Sequence, residues 1–348
     1  MTDSRYGRDV VGRIYAIALN AYREAIRDRV LFGVLGLALA SLLFGASLAW
    51  LSLSEQVRVL VDHGVVTISW LSNLVAIFLG ASFLYKEIEL RTLYVILAKP
   101  VTRWEFVLGK YFGIVGTAVV FIAVTASMLL LLLDVQAAEA AGASGAGLAW
   151  LSRQLVGSRS HRVLVIVGGL LVALIALRSM RKLAFVQRIT NALGAATTLV
   201  LTLGLLAAAA SLSRAVAPDD TRYVLVSSGL VAGEVVITAA VAMLFSSFST
   251  PFVTGMLTMG VFLVGRLAGA MMEMRGRTLP PELKELLKGI ATVVPNLQLY
   301  VPSRDALMSS ERGLEVWRYL LETYGYAAIY AAVLLFVSAV VFRRRDLV

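Results

Sequence analysis

The chain has no cysteine among its 348 residues, which excludes disulfides, thiol nucleophiles and cysteine-based metal sites. Only two histidines occur, His63 and His161, far apart and each near an expected membrane edge, where they read as surface residues rather than metal ligands. Charged residues are scarce at 16%, against roughly 25% in soluble domains. A P-loop is missing as well. The one Gly-Lys pair, Gly109-Lys110, is followed by Tyr111, and Trp104 stands where the pattern G-x-x-x-x-G-K-[S/T] needs its first glycine. No His/Glu metal spacing and no Ser/His/Asp set lies within the apolar runs, which argues against an intramembrane enzyme.

What the chain has instead is apolar sequence. Hydrophobic residues make up 59%, against roughly 45–50% in soluble domains. A membrane helix needs about 20 consecutive apolar residues, and such runs stand at 30–53, 64–85, 106–133, 189–212, 223–247, 252–272 and 325–342. A shorter run at 163–177 is bracketed by charge and is counted as an eighth span. The first run is too long for the core of a signal peptide and reads as a retained span.

Charge orients these spans, because lysine and arginine are retained on the cytoplasmic side. With eight spans and both termini inside, the inner segments 1–29, 86–110, 178–188 and 343–348 hold 18 Lys/Arg and 8 Asp/Glu. The outer segments 54–63, 134–162, 213–222 and 273–324 hold 13 of each sign, so the net charge of +10 falls on one side. Scattered over four short segments, the basic residues form no nucleic-acid patch; anionic lipid and an acidic cytoplasmic partner suit them better. The expected fold is therefore an all-α, polytopic membrane bundle of about eight transmembrane helices.

Residues 1–29 form an amphipathic segment. Val10, Ile14, Ile17 and Ala21 recur at helical spacing opposite Arg13, Arg23, Arg27 and Arg29, as in a helix lying in the membrane interface. In the outer segment 273–324, Pro280-Pro281 opens one amphipathic stretch, and Leu314, Trp317, Leu321 and Tyr324 form a second stripe leading into the last span. Two amphipathic helices against the outer membrane face are expected there.

The segment "YKEIELRTLYVILAKPVTRWEFVLGKYFG" (85–113) is the most structured inner loop. Leu90, Leu93, Tyr94 and Leu97 form one helical stripe, and Glu87 and Arg91 are placed for an i,i+4 ion pair. Pro100 ends this helix, and Thr102 with Glu105 supplies a capping box for the next span. On these residues alone, an ordinary interfacial helix and a docking helix remain open alternatives.

This loop resembles the first cytoplasmic loop of ABC-2 type exporter permeases, in the order Glu87, Glu89, Arg91-Thr92-Leu93, Lys99-Pro100, Arg103, Glu105-Phe106 and Gly109-Lys110. The amphipathic N-terminus, "SSFSTPFVTGMLTMGVFLVGR", "VVPNLQLY" and the terminal "VFRRRDL" are similar to the same family, over about three quarters of the chain. The resemblance implies a permease subunit in the inner (plasma) membrane with no bound cofactor of its own. ATP and magnesium would sit on a separate cytoplasmic ATPase, and a second permease copy or relative would complete the transporter. It implies a coupling helix over 86–99 in which Glu87, Glu89, Arg91, Thr92, Leu93, Tyr94 and Leu97 meet that ATPase.

The implied organisation is the interfacial helix 1–29, three spans and the coupling helix over 30–133, an insertion over 134–222, and three spans over 223–348. Six spans are usual in the family; the insertion carries an extra two-span hairpin, which either packs peripherally or binds an accessory subunit. Glu234 and Arg266 are the two ionisable residues well inside spans, about 16 Å and 9 Å from the outer ends. They are candidates for a structural pair or for substrate contact. Gly109–Gly113, Gly229–Gly233 and Gly265–Gly269 match small-xxx-small packing spacing. A secondary transporter and a non-transport membrane scaffold are the competing readings. The former would show paired intramembrane acids in repeated segments, and the sequence shows one acid and no repeat.

Overall fold

The computed structural model describes residues 3–52, 55–89, 102–140, 194–214, 217–273, 289, 294–304, 307 and 313–344. Among them are eight α-helices and no strand: α1 (Asp3–Ile26), α2 (Arg29–Leu51), α3 (Gln56–Glu89), α4 (Arg103–Ala140), α5 (Gly194–Ser213), α6 (Pro218–Ser246), α7 (Pro251–Glu273) and α8 (Gly313–Arg344). A single 3₁₀ turn, Leu297–Tyr300, lies between α7 and α8. Among the described residues, five helical segments are long and apolar enough to cross a membrane: Arg29–Ala49, Gln56–Ser82, Arg103–Asp134, Pro218–Ser246 and Val316–Phe342. The chain is a helical, multi-pass membrane protein.

Local chemistry sets the helix starts. Asp28 caps α2, its Oδ1 accepting the Val30 N–H at 2.9 Å. Both α6 and α7 begin on proline, whose missing N–H costs nothing in a first turn, and α6 adds Asp219 and Asp220 beside the positive end of its dipole.

Several helices run further than hydropathy indicates. Residues 56–63, expected in an outer loop, are the first two turns of α3; no proline or second glycine interrupts them, and Leu60, Val61 and Gly64 bury a helical stripe. Residues 86–89 continue α3 rather than opening a separate helix, so Glu87 and Glu89 belong to its C-terminal end. Residues 134–140, expected as the start of the outer insertion, are the last turns of α4, and Asp134 is buried. The second outer stripe is no separate amphipathic helix: Trp317, Leu321 and Tyr324 lie on α8, one unbroken helix of 32 residues. The short span at 163–177, much of the rest of the insertion and the stretch 281–288 lie outside the described residues.

Two compact units are distinguished, one made of Met1–Leu31, Trp70–Val119 and Gly229–Val348, the other of Phe32–Ser69 and Val120–Ser228. In the first, α1 packs along the glycines of α4. A Cβ at Gly109 would stand 2.6 Å from Ile17 Cβ, and one at Gly113 would stand 2.9 Å from the Ala18 carbonyl. Ala21, Tyr22 and Ala25 are buried there, so part of the apolar face expected to meet lipid meets protein instead. In the second unit, Gln136 Nε2 donates to the Ala46 carbonyl at 3.0 Å and Ser213 Oγ to the Leu130 carbonyl at 3.0 Å. His63, expected at the surface, is held against α2: its Nε2 lies 3.0 Å from the Ser41 carbonyl, and its ring meets Phe44 edge-on.

Candidate functional site

The first unit holds a buried ion pair. Glu234 on α6 is fully buried, and Arg266 on α7 is 14% exposed. Arg266 Nε donates to Oε1 at 2.7 Å and its second terminal nitrogen to Oε2 at 2.8 Å, a bidentate fork that engages both carboxylate oxygens. The guanidinium also faces the rings of Phe262 at 5.3 Å and Trp70 at 5.9 Å, and those two rings meet edge-on. The two sequence candidates thus stand together, from the interiors of two helices joined by a short turn.

Polar groups continue from the pair in both directions. One turn along α6, Thr238 Oγ1 lies 2.7 Å from Asn73 Oδ1 on α3 and also reaches back to the Glu234 carbonyl. On the other side, Gly233 lets Tyr300 approach: a Cβ there would stand 2.8 Å from its ring. Tyr300 donates to the Thr323 carbonyl at 2.8 Å, and Tyr324 donates to the Gly229 carbonyl at 2.5 Å. Burial first, then the neighbouring Tyr326 and the Glu234 carboxylate, push the Tyr300 phenol above its ordinary value and keep it a donor.

The segment 294–300 is seated by the same device. A Cβ at Gly265 would stand 2.6 Å from the Pro295 carbonyl, so only glycine admits this backbone. Asn296 then caps the 3₁₀ turn, its Oδ1 accepting the Gln298 N–H at 3.1 Å, and its own N–H donates to the Tyr326 hydroxyl at 3.1 Å. Of the glycine pairs read from the sequence, Gly233 admits Tyr300 and Gly265 admits a loop, whereas a Cβ at Gly229 would make only ordinary contact with Tyr324 at 3.9 Å.

A second group of charges ties α1 to the start of α4. Glu105 accepts the Thr102 N–H at 3.0 Å, the reciprocal half of the expected capping box, and receives Arg13 through Nε at 3.2 Å and a terminal nitrogen at 2.8 Å. One turn on, Lys110 is 1% exposed, 3.3 Å from Glu24 and 5.9 Å from the Phe106 ring centre. Arg103 donates to the Phe342 carbonyl at 3.2 Å, satisfying one of the orphan acceptors at the end of α8. Sequence reasoning assigned Glu105 only a capping role and gave none to Lys110. The signal was present, since Arg13 lies on the basic face of the N-terminal segment, but the pairing partners are 92 and 86 residues apart.

Of the remaining loop residues, Arg91, Thr92, Leu93, Tyr94, Leu97 and Pro100 lie outside the described residues, and Glu87 and Glu89 are placed only by their helix. Among the described residues, no group of three His, Asp or Glu side chains comes together as a metal site. The Glu234–Arg266 fork can join two helices and neutralise two charges. The Arg13–Glu105 and Glu24–Lys110 pairs can make α1 follow any displacement of the loop that precedes α4. No protein-family model matches the chain, and no curated protein is found similar to it.

Proposed function

We propose that the chain is the transmembrane permease subunit of an ATP-binding-cassette exporter of the ABC-2 type, paired with a second permease and driven by a separate cytoplasmic ATPase. The observation that carries this reading is the sequence pattern from Glu87 through Arg91 and Pro100 to Glu105 and Lys110, whose last two charges clamp the start of α4 to α1. A push on a docking segment ahead of α4 would then be shared by α4 and α1, because the Arg13–Glu105 and Glu24–Lys110 pairs join them. In this reading both termini face the cytoplasm of a cell bounded by that inner membrane. The Glu234–Arg266 fork counts against a secondary transporter, because the one deeply buried acid of α6 has both oxygens on arginine and is not a vacant proton or cation site.

The test is copurification from detergent extract. A P-loop ATPase is expected to accompany the wild-type chain and to be lost when Glu87 and Arg91 are changed together to alanine, with the permease still folded by its thermal transition. Absence of any ATPase, or retention unaffected by the double change, overturns the proposal.

A further inference from the structure

An apolar groove of about 1220 Å³ runs between α4 and α8, larger than the roughly 300–1,000 Å³ usual for small-molecule sites. It opens outward through exposed side chains, among them Trp104 (45% exposed), Phe112 and Phe336 (72% exposed). Its lining spans residues 102–115 on α4 and 328–340 on α8, in opposite directions. At 1.5 Å per residue that is about 18–20 Å. One leaflet of hydrocarbon is about 15 Å and the whole core about 30 Å. The groove therefore matches one leaflet and is too short for a second transmembrane helix lying along its length.

Polarity is confined to one end. Thr102, Arg103 and Trp104 stand there, and the other lining residues are apolar apart from Tyr111, whose hydroxyl is committed to the Val236 carbonyl at 3.0 Å. Arg103 touches the Phe342 carbonyl, in the last turn of α8, whose sequence there continues into Arg343, Arg344 and Arg345. The nearest acid on α4, Glu105, is neutralised by Arg13. Trp104 is the amphipathic ring usual at the headgroup level. We infer that this groove holds the acyl chains of an anionic phospholipid whose phosphate sits at Arg103, in the leaflet on that side of the membrane.

The full chain in detergent, offered equimolar phosphatidylglycerol and phosphatidylcholine with identical acyl chains, tests this by native mass spectrometry. Phosphatidylglycerol is expected to be retained about fivefold over phosphatidylcholine, the order of one basic residue's contribution at an anionic surface. Arg103→Gln is expected to abolish that preference and Arg103→Lys to keep it. Ala332→Trp, at an exposed position of the lining, is expected to lower retention of both lipids by filling the groove. Should Arg103→Gln not fold, the wild-type headgroup ratio and Ala332→Trp decide the matter. Equal retention of the two lipids by wild type, or unchanged retention in Ala332→Trp, overturns the inference. So does a high-yield disulfide between two copies carrying Ala332→Cys, which would give the groove to a second copy.

Discussion

Glu234 and Arg266 show how a membrane protein tolerates charge. Each alone is expensive in hydrocarbon, and the fork removes both charges at once while two aromatic rings cover the guanidinium. Removing one partner leaves the other buried and uncompensated, which costs about 3–5 kcal/mol. We therefore expect Glu234→Gln and Arg266→Gln each to lower the thermal transition of the detergent-solubilised protein strongly. E234R/R266E should recover part of the loss, short of wild type because Trp70 and Phe262 would then face a carboxylate. A double variant no more stable than either single would refute pairing as the role of these residues. The surface pair Arg318–Glu322 offers the contrast: with both side chains more than half exposed, its removal should change stability by less than about 1 kcal/mol.

At the scale of elements, several close approaches in the first unit are made at glycines, with different neighbours. Gly109 and Gly113 admit α1, Gly233 admits Tyr300, and Gly265 admits the backbone before the 3₁₀ turn. Gly113→Leu would drive a branched side chain into the Ala18 carbonyl and Ala21, an overpacking cost of about 1–3 kcal/mol. The expected outcome is a lower thermal transition and faster proteolysis within α1, both read on the purified chain. Gly116, whose added Cβ would meet only Tyr22 at 3.6 Å, is the control and should tolerate alanine. Glu105→Ala should also loosen α1, because it removes the reciprocal half of the α4 capping box and the Arg13 ion pair. Protease sensitivity rising in α1 for Gly113→Leu and Glu105→Ala alike, but not for Gly116→Ala, would mark α1 and the start of α4 as one mechanical piece.

For the whole molecule, orientation is the property most open to direct measurement, since a chain without cysteine accepts single reporters without background. In intact cells, cysteine at Thr2 or Arg181 should resist an impermeant thiol reagent, whereas cysteine at Asp219 or Arg277 should react. Labelling of positions 2 and 181 with positions 219 and 277 protected would reverse the orientation. Labelling of position 181 with positions 2, 219 and 277 protected would show that 163–177 does not cross, and that the span count falls to seven.

Composition and charge alone determined that this chain is a multi-pass helical membrane protein, because burying 59% apolar sequence in water-free hydrocarbon leaves helices as the economical way to satisfy the backbone. The same reading picked out Glu234, Arg266, the glycine pairs and the Thr102–Glu105 cap, since each violates or punctuates an apolar pattern locally. Helix ends were less legible. Hydropathy reports the length that suits lipid, whereas α3, α4 and α8 continue through polar residues that nothing in the sequence forces out of a helix. Only the tertiary structure decided which of the charged groups meet. Arg13 with Glu105, Lys110 with Glu24, and Tyr300 beside Glu234 are brought together from distant segments by packing on glycine, and no local pattern encodes so long a separation.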